Sequence, residues 1–238
     1  MIDFPNGTGN RLSVATPGGL DDIEGSDTCS WMCWARYDSR GGNFNSIMGR
    51  QVIIDSVPYW ESFGFWVRSD GKIGAGICVS GYNQTFAAEG GSTSAGTLYF
   101  LAAVYDNNAN PRLTLYIDGA SAATSNAQSG TIRATDKPFA VAANCNNSNG
   151  TTFDEDLDGQ VGPFFVSKYA LTLDQLEAVR IGRGAVLPPG LVFGAHLMDA
   201  AEGAVPSALK SLSGESITVV GSPTGYASIH RLPQPRMF

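Results

Sequence analysis

Positive charge is scarce in this sequence. Its 238 residues include 15 Lys and Arg against 22 Asp and Glu, which gives a formal net charge of −7 at pH 7. Proteins that bind nucleic acids place clustered Lys and Arg against the phosphates, and segments that bind anionic membrane surfaces are also basic. We therefore expect neither nucleic acid nor a membrane among the partners of this protein.

Long hydrophobic runs are lacking as well. No stretch of 18 consecutive apolar residues occurs, so no transmembrane segment is expected. The first residues, Met1 to Pro5, contain neither a basic region nor an apolar core, so no secretory signal peptide is expected. These absences predict a protein that stays in the cell that makes it, or that leaves this cell by lysis.

Cysteine is rare, and its spacing fits neither a disulfide framework nor zinc. The thiols are at Cys29, Cys33, Cys78 and Cys145. Cys29 and Cys33 would lie about 13 Å apart on one face of a strand, which is too far for a disulfide. No Cys-x-x-Cys pair is available for zinc. We expect four reduced, buried thiols.

What the sequence does contain is the pattern of a β-sandwich. Many short apolar runs are separated by turns rich in its 29 Gly, and about ten strands and one helix are predicted. The clearest alternation is Leu113–Ile117, which ends in a hairpin signal at Asp118-Gly119. The predicted core consists of Leu12, Val14, Trp31, Trp34, Phe65, Val67, Phe100, Ala102, Leu113, Leu115, Ile117, Val141, Phe164 and Val166.

The most specific stretch runs from Phe153 to Gly182. It combines a turn at Asp158-Gly159, an apolar strand, and a helix that Thr172 can cap together with Gln175. Leu173, Leu176 and Val179 would share one face of this helix, and Gly182 would end it.

This stretch, with Leu113–Gly119 and the Trp-bearing strand Thr28–Arg36, resembles the laminin-G-like branch of the concanavalin A-like lectin/glucanase superfamily. The resemblance covers roughly residues 10–182. It implies an all-β fold, a two-sheet antiparallel jelly-roll sandwich with one short helix. Residues 1–184 are predicted to form the sandwich, and residues 185–238 a Pro-rich C-terminal extension.

Catalytic patterns are lacking. Glucanases of this fold carry carboxylates spaced Glu-x-Asp-x-x-Glu, whereas the dense acidic group at 154–158 reads Asp-Glu-Asp-Leu-Asp. Both histidines, His196 and His230, lie in the predicted extension, and neither a Gly-x-Ser-x-Gly elbow nor a phosphate loop occurs. We expect a protein that is not an enzyme.

Calcium is the metal that the resemblance implies, because relatives often hold one Ca²⁺ with loop oxygens near the sheet rim. The hard oxygen ligands that Ca²⁺ needs are available in two loops, from Asp106 and Asn108 in one and from Asp154, Asp156 and Asp158 in the other. The alternative is that these are ordinary turn residues, since Asp and Asn favour turns in any protein. No other cofactor is expected.

Sugar binding is the commonest function that the resemblance implies. It requires an exposed aromatic ring on which a pyranose can stack. Tyr59, Trp60, Phe63 and Tyr82 lie near predicted loops and are the candidates. The tryptophans in predicted strands are expected in the core instead.

The end of the chain predicts docking. Residues 222–238 contain three Pro and no helix pattern, so this tail should be extended. Its apolar and basic anchors are Ile229, Arg231, Leu232, Arg236, Met237 and Phe238.

Lectin-like sandwiches of this length with a Pro-rich tail resemble virion proteins of tailed bacteriophages. We predict a virion structural protein, a capsid decoration or tail-associated protein that assembles in the host cytoplasm. Its partners would be the major capsid or tail protein and further copies of itself. The alternative is a soluble carbohydrate-binding lectin that recognises a host surface glycan.

Overall fold

A computed structural model describes residues 1–5, 9–15, 17–40, 44–50, 62–80, 85–126, 128–145, 153–154, 156–183, 185–197, 203–205 and 208–225. The strands of the first half are β1 (Ile2–Phe4), β2 (Arg11–Val14), β3 (Thr28–Ser39), β4 (Phe44–Arg50), β5 (Phe63–Arg68), β6 (Ile73–Cys78), β7 (Thr85–Gly90), β8 (Tyr99–Asp106), β9 (Leu113–Ile117) and β10 (Ala120–Ser125). The second half adds β11 (Phe139–Val141), β12 (Asn144–Cys145), β13 (Phe153–Asp154), β14 (Asp158–Ser167), β15 (Leu191–Ala195), β16 (Gly203–Ala204), β17 (Ala208–Lys210), β18 (Ser216–Val220) and β19 (Thr224–Gly225). The helices are α1 (Gly18–Asp21) and α2 (Leu173–Gly182).

The strands form two large antiparallel sheets. Sheet A has the order β10-β9-β8-β3-β14-β1-β19-β16, and β15 also pairs with β14. Sheet B has the order β17-β18-β2-β11-β4-β5-β6-β7, and β12 and β13 form a separate short ladder. The predicted all-β sandwich of two antiparallel sheets is therefore confirmed. A one-turn helix, α1, follows Pro17.

Aromatic side chains fill the space between the sheets. The ring centroids of Trp31 and Phe63 are 5.4 Å apart, and Phe139 stacks on Phe164 at 5.3 Å. The predicted core residues are buried, except that Ile117 is only partly buried and packs against the edge of this core. The inward alternation of the strands thus agrees with the predicted pattern.

Three predicted core residues lie on the opposite side of sheet A. Trp34, Phe100 and Ala102 form a second cluster under α2, with Leu176 and Val179 of that helix. Trp31 and Trp34 are three positions apart on β3, and side chains of a strand alternate, so the two cannot share a face. The prediction that Trp31 and Trp34 belong to the same core was therefore wrong, although both side chains are buried.

Helix α2 begins as the sequence predicts. Thr172 accepts a hydrogen bond from the Gln175 amide, and the Gln175 side chain accepts one from the Thr172 amide, which completes a capping box. Leu176 and Val179 are buried, but Leu173 is 46% exposed and does not join their face.

The predicted extension is largely part of the sandwich. β15 pairs with β14, β18 pairs with β2, and β19 pairs with β1. β18 and β19 thereby pair with backbone groups that β2 and β1 would otherwise leave unpaired at a sheet edge. The sequence suggested an appendage outside the sandwich, but the described strands from β15 to β19 pair within its sheets. The docking residues from Ile229 to Phe238 lie outside the described part of the chain.

All four cysteines are buried thiols, in agreement with the prediction. Burial raises the pKa of the Cys29 and Cys33 thiols, which keeps both protonated. No helix among the described residues is long and apolar enough to cross a membrane.

Candidate functional site

Two groups of polar residues lie at opposite ends of the sandwich. Strand β3 runs through sheet A for 12 residues, which corresponds to about 36 Å. Glu24 and its partner Arg50 lie near the start of β3, and Asp158 is paired with Ser39 at its end. We call these regions the Arg50 end and the Asp158 end.

Arg50 forms the centre of the first region. Only 3% of this residue is exposed. Its Nη1 lies 2.8 Å from Glu24 Oε1, its Nε donates to the Lys137 carbonyl at 2.8 Å, and its Nη2 donates to the Thr135 carbonyl. Glu24 Oε1 also accepts from the Thr135 amide at 3.0 Å. These bonds fix the turn before β3 and the segment before β11 to the end of β4.

An open cleft of about 540 Å³ lies beside this clamp. Its volume falls in the range of roughly 300–1,000 Å³ that is typical of small-ligand sites. The cleft is lined by Pro17, Gly18, Asp21, Glu24, Arg50, Ala134, Thr135 and Asp136. Asp21 Oδ1 lies 3.5 Å from Arg50 Nη1, and Asp136 Oδ1 lies 2.7 Å from Lys137 Nζ. The two carboxylate side chains are nevertheless 64% and 87% exposed, so they can also accept hydrogen bonds from a ligand.

The aromatic residues predicted to bind sugar divide into two groups. Phe63 is fully buried between the sheets, because β5 points Phe63, Phe65 and Val67 inward, so its prediction as a sugar platform was wrong. Tyr59, Trp60 and Tyr82 lie outside the described residues.

Tyr59 and Trp60 belong to the segment that follows β4 in the chain. It connects Arg50 to Ser62, and Arg50 is paired with Phe63 across β4 and β5. Both of its attachment points therefore belong to the Arg50 end. Arg50 and Glu24 themselves were missed by the sequence analysis, since an Arg at a strand end and a Glu in a turn are ordinary surface patterns.

The second region collects side-chain oxygens. Asn45 Oδ1, Asn144 Oδ1 and Asp156 Oδ1 are buried there, and no described donor reaches Asn45 Oδ1. Asn45 Nδ2 donates to the Asp156 carbonyl at 2.7 Å, which brings β4 and the segment before β14 together. Carboxylate, amide and carbonyl oxygens are the ligands that Ca²⁺ uses.

The predicted calcium residues are split between the ends. Asp156 lies beside Asn45 at the Asp158 end, and Asp158 accepts a hydrogen bond from the Ser39 hydroxyl. The backbone of Asp154 pairs with Asn144. Asn45 and Asn144 were missed because a single Asn in a strand carries no motif.

Asp106 and Asn108 lie at the other end. Asp106 pairs with Thr28, and its carboxylate accepts from the Asn108 amide at 2.9 Å, as in an ordinary turn. The structure does not bring them near Asp156 or Asp158. Among the residues that the structure describes, no group of three or more His, Cys, Asp or Glu is placed to hold a metal ion.

The fold and its sequence pattern have known relatives. A laminin-G-type family model described as the concanavalin A-like lectin/glucanases superfamily matches residues 6–177. The chain belongs to this superfamily. Membership in the concanavalin A-like superfamily agrees with the resemblance that the Phe153–Gly182 stretch suggested. No curated protein sequence matches the chain significantly.

Solved structures of other concanavalin A-like proteins are similar in fold. A candidate carbohydrate binding protein from Bacteroides ovatus is 17% identical, with a TM-score of 0.65 over 96% of this chain and 61% of that one. The heptameric SAP-like pentraxin of Limulus polyphemus is 16% identical, with a TM-score of 0.61 over 97% and 96% of the two chains. The sialidase CBM40 of Ruminococcus gnavus bound to α2,6 sialyllactose is 13% identical, with a TM-score of 0.57 over 75% and 96%.

Proposed function

We propose that this concanavalin A-like protein is a non-enzymatic carbohydrate-binding protein and that the Arg50 cleft is its binding site. The observation that carries the proposal is an open cleft of about 540 Å³ with three acidic residues in its lining, held by a buried arginine that donates to three partners. The Bacteroides protein and the CBM40 module, which share the fold, support a sugar ligand.

The lining suits the hydroxyl groups of a sugar. Exposed carboxylates at Asp21 and Asp136 can accept hydrogen bonds from two neighbouring hydroxyls. Because Arg50 fixes the cleft walls before any ligand arrives, binding costs little ordering entropy. The segment attached at Arg50 carries Tyr59 and Trp60, whose rings we expect to stack on the sugar.

A glycan array followed by calorimetry tests this proposal. We expect saturable binding with a Kd between about 10 µM and 1 mM, equivalent to roughly −7 to −4 kcal/mol. Trp60→Ala and Asp136→Asn should each weaken binding about tenfold. Asp174→Asn is the matched control, because Asp174 is exposed on α2, which packs on the outer face of sheet A. A chain that binds no glycan would overturn the proposal.

We further propose that the Asp158 end binds one calcium ion. The buried oxygens of Asn45, Asn144 and Asp156 support this site, together with the Asp158 carboxylate at the same rim. The ion would join the β4 rim to the segment before β14. It would have a structural effect at this end, about one sandwich length from the proposed sugar site.

We also propose a role in a virion, as the sequence predicts. It rests on the tail beyond Gly225, whose Ile229, Arg231, Leu232, Arg236, Met237 and Phe238 would dock on a capsid or tail protein. A virion protein that displays a glycan-binding sandwich would combine both roles. The tail can be tested separately from the cleft, because the cleft residues all precede it in the chain.

A further inference from the structure

The charges around the Arg50 cleft restrict the sugars that it can take. We propose that the cleft binds uncharged glycans and glycans with amino sugars, and that it rejects sialylated and other acidic glycans. This inference rests on the proposed function of the same cleft, and it adds the chemical class of the ligand.

The cations beside the cleft are already used by the protein. Arg50 donates from Nε to the Lys137 carbonyl, from Nη1 to Glu24 and from Nη2 to the Thr135 carbonyl. Its side chain is almost wholly buried. The Lys137 ammonium lies 2.7 Å from Asp136 Oδ1, and its side chain is mostly buried. A glycan carboxylate is recognised by cations that can pair with it. Neither cation is free to do so without breaking a bond that holds the cleft wall.

The groups that face a ligand are acceptors. Asp21 and Asp136 expose their carboxylates, and Glu24 adds a third carboxylate beside Arg50. The cleft therefore has three carboxylates beside two cations, and these cations are paired with the same carboxylates, which leaves a net negative charge. A sialic acid carboxylate would be repelled at short range. A hydroxyl can donate to these oxygens, and the ammonium of an amino sugar can donate and also gain charge attraction.

The prediction separates this chain from a structural neighbour. The CBM40 module with the same fold is known bound to sialyllactose. A shared sandwich does not decide which sugar is bound, because recognition depends on the side chains of the site. Here those side chains are acidic, so the preference should be opposite.

An array with paired glycans tests the inference. Each pair contains a neutral glycan and its sialylated form, such as lactose and sialyllactose, and one further pair contains chitotriose and the glucosamine trimer. We expect the neutral member to bind at least tenfold more strongly in every bound pair of a neutral glycan and its sialylated form. The glucosamine trimer should bind at least as well as chitotriose at pH 6, where its amines are charged.

Variants of the cleft residues test whether the selectivity between glycans arises at the cleft. In the double variant Asp21→Asn, Asp136→Asn, the preference against sialylated glycans should fall below about threefold, whereas Asp174→Asn should keep it. Equal or tighter binding of the sialylated members would overturn the inference and leave the proposed function standing. Unchanged selectivity in the double variant would overturn it as well. No binding of any glycan would overturn the proposed function, and the inference with it.

Discussion

The two ends of the sandwich differ in the partners of their buried polar groups. At the Arg50 end, a buried cation belongs to the chain itself, and Glu24 and two backbone carbonyls neutralise and orient it. At the Asp158 end, buried oxygens of Asn45, Asn144 and Asp156 collect, and Arg11, whose charge interacts with that of Asp156, lies over the Phe153 ring. A site that carries its own cation is rigid and leaves acceptors for a ligand. A rim with several amide and carboxylate oxygens is suited to take a hard cation from solution.

The largest expected effect comes from removing the internal cation. Arg50→Ala leaves the partly buried Glu24 beside two carbonyls that lose a donor. Breaking a fully buried ion pair on one side costs about 3–5 kcal/mol, so we expect a loss of up to this size. Arg36→Ala is the matched control at the Asp158 end, because Arg36 pairs with Asp38 at 2.6 Å on the surface. Exposed pairs contribute about 0–1 kcal/mol.

Urea denaturation of both variants measures this difference. We expect a much lower midpoint for Arg50→Ala and a nearly unchanged midpoint for Arg36→Ala. Similar losses in the two variants would contradict the view that the Arg50 end is held by its own cation.

Much of the framework around this clamp could be predicted, but not the clamp itself. Strands such as Leu113–Ile117 show a strict alternation, and Thr172 and Gln175 form a capping motif within four residues, so both are local signals. Arg50 reaches Glu24 and Thr135 from separate parts of the chain, and only the pairing of β4 with β11 and the course of the turn before β3 bring them together. Such long-range contacts leave no spacing pattern in a single sequence.

The second prediction adds a cation to the other end. If calcium binds there with a Kd about 100-fold below its concentration, it stabilises the fold by about 2.7 kcal/mol. For a chain of this length, that raises the Tm by roughly 5–10 °C. Thermal unfolding in 10 mM CaCl₂ and in EDTA measures the shift.

Variants locate the calcium effect. Asp156→Asn should reduce the shift strongly, while the bond from Asn45 to the Asp156 carbonyl can persist because it uses the backbone. Asp106→Asn is the matched control at the opposite end and should keep the shift. A Tm that is the same with and without calcium would contradict the site.

A smaller effect is expected at Glu215, which supports the Arg50 end from outside. Its Oε1 accepts from the Gly19 amide at 2.9 Å, and Gly19 follows the cleft residue Gly18. Burial alone would raise the pKa of Glu215, but hydrogen bonds from Ser211, Ser213 and Gly19 outweigh it and lower the pKa. Glu215→Gln should therefore cost about 1 kcal/mol at pH 7, since the carboxylate is only partly buried.

The pH dependence gives this prediction its sign. The pKa of Glu215 is lowered in the folded state, so its contribution is complete above the unfolded pKa of about 4.3 and disappears as the pH falls through the folded pKa. The difference between wild type and Glu215→Gln should thus shrink in acid. Glu177→Gln, which breaks an exposed pair with Arg180, should cost less than about 0.5 kcal/mol. A constant difference down to pH 2 would show that the carboxylate charge is not the cause.

The smallest effect on stability is expected from removing residues 226–238. The deletion must stop at Gly225, because Gly225 pairs with Ile2 and Ile2 with Val161, in the part of sheet A close to Asp158. Removing residues 222–225 as well would take away β19 and mix two effects. We expect the free energy of unfolding of the shortened chain to stay within about 0.5 kcal/mol of that of the full chain, because the deletion keeps every described strand. Its glycan binding should also stay within about twofold, because the cleft is at the other end.

Sedimentation with virion particles should then show that only the full chain joins the assembly. If the shortened chain still occupied the particles fully, the tail would not be the part that docks the protein on them.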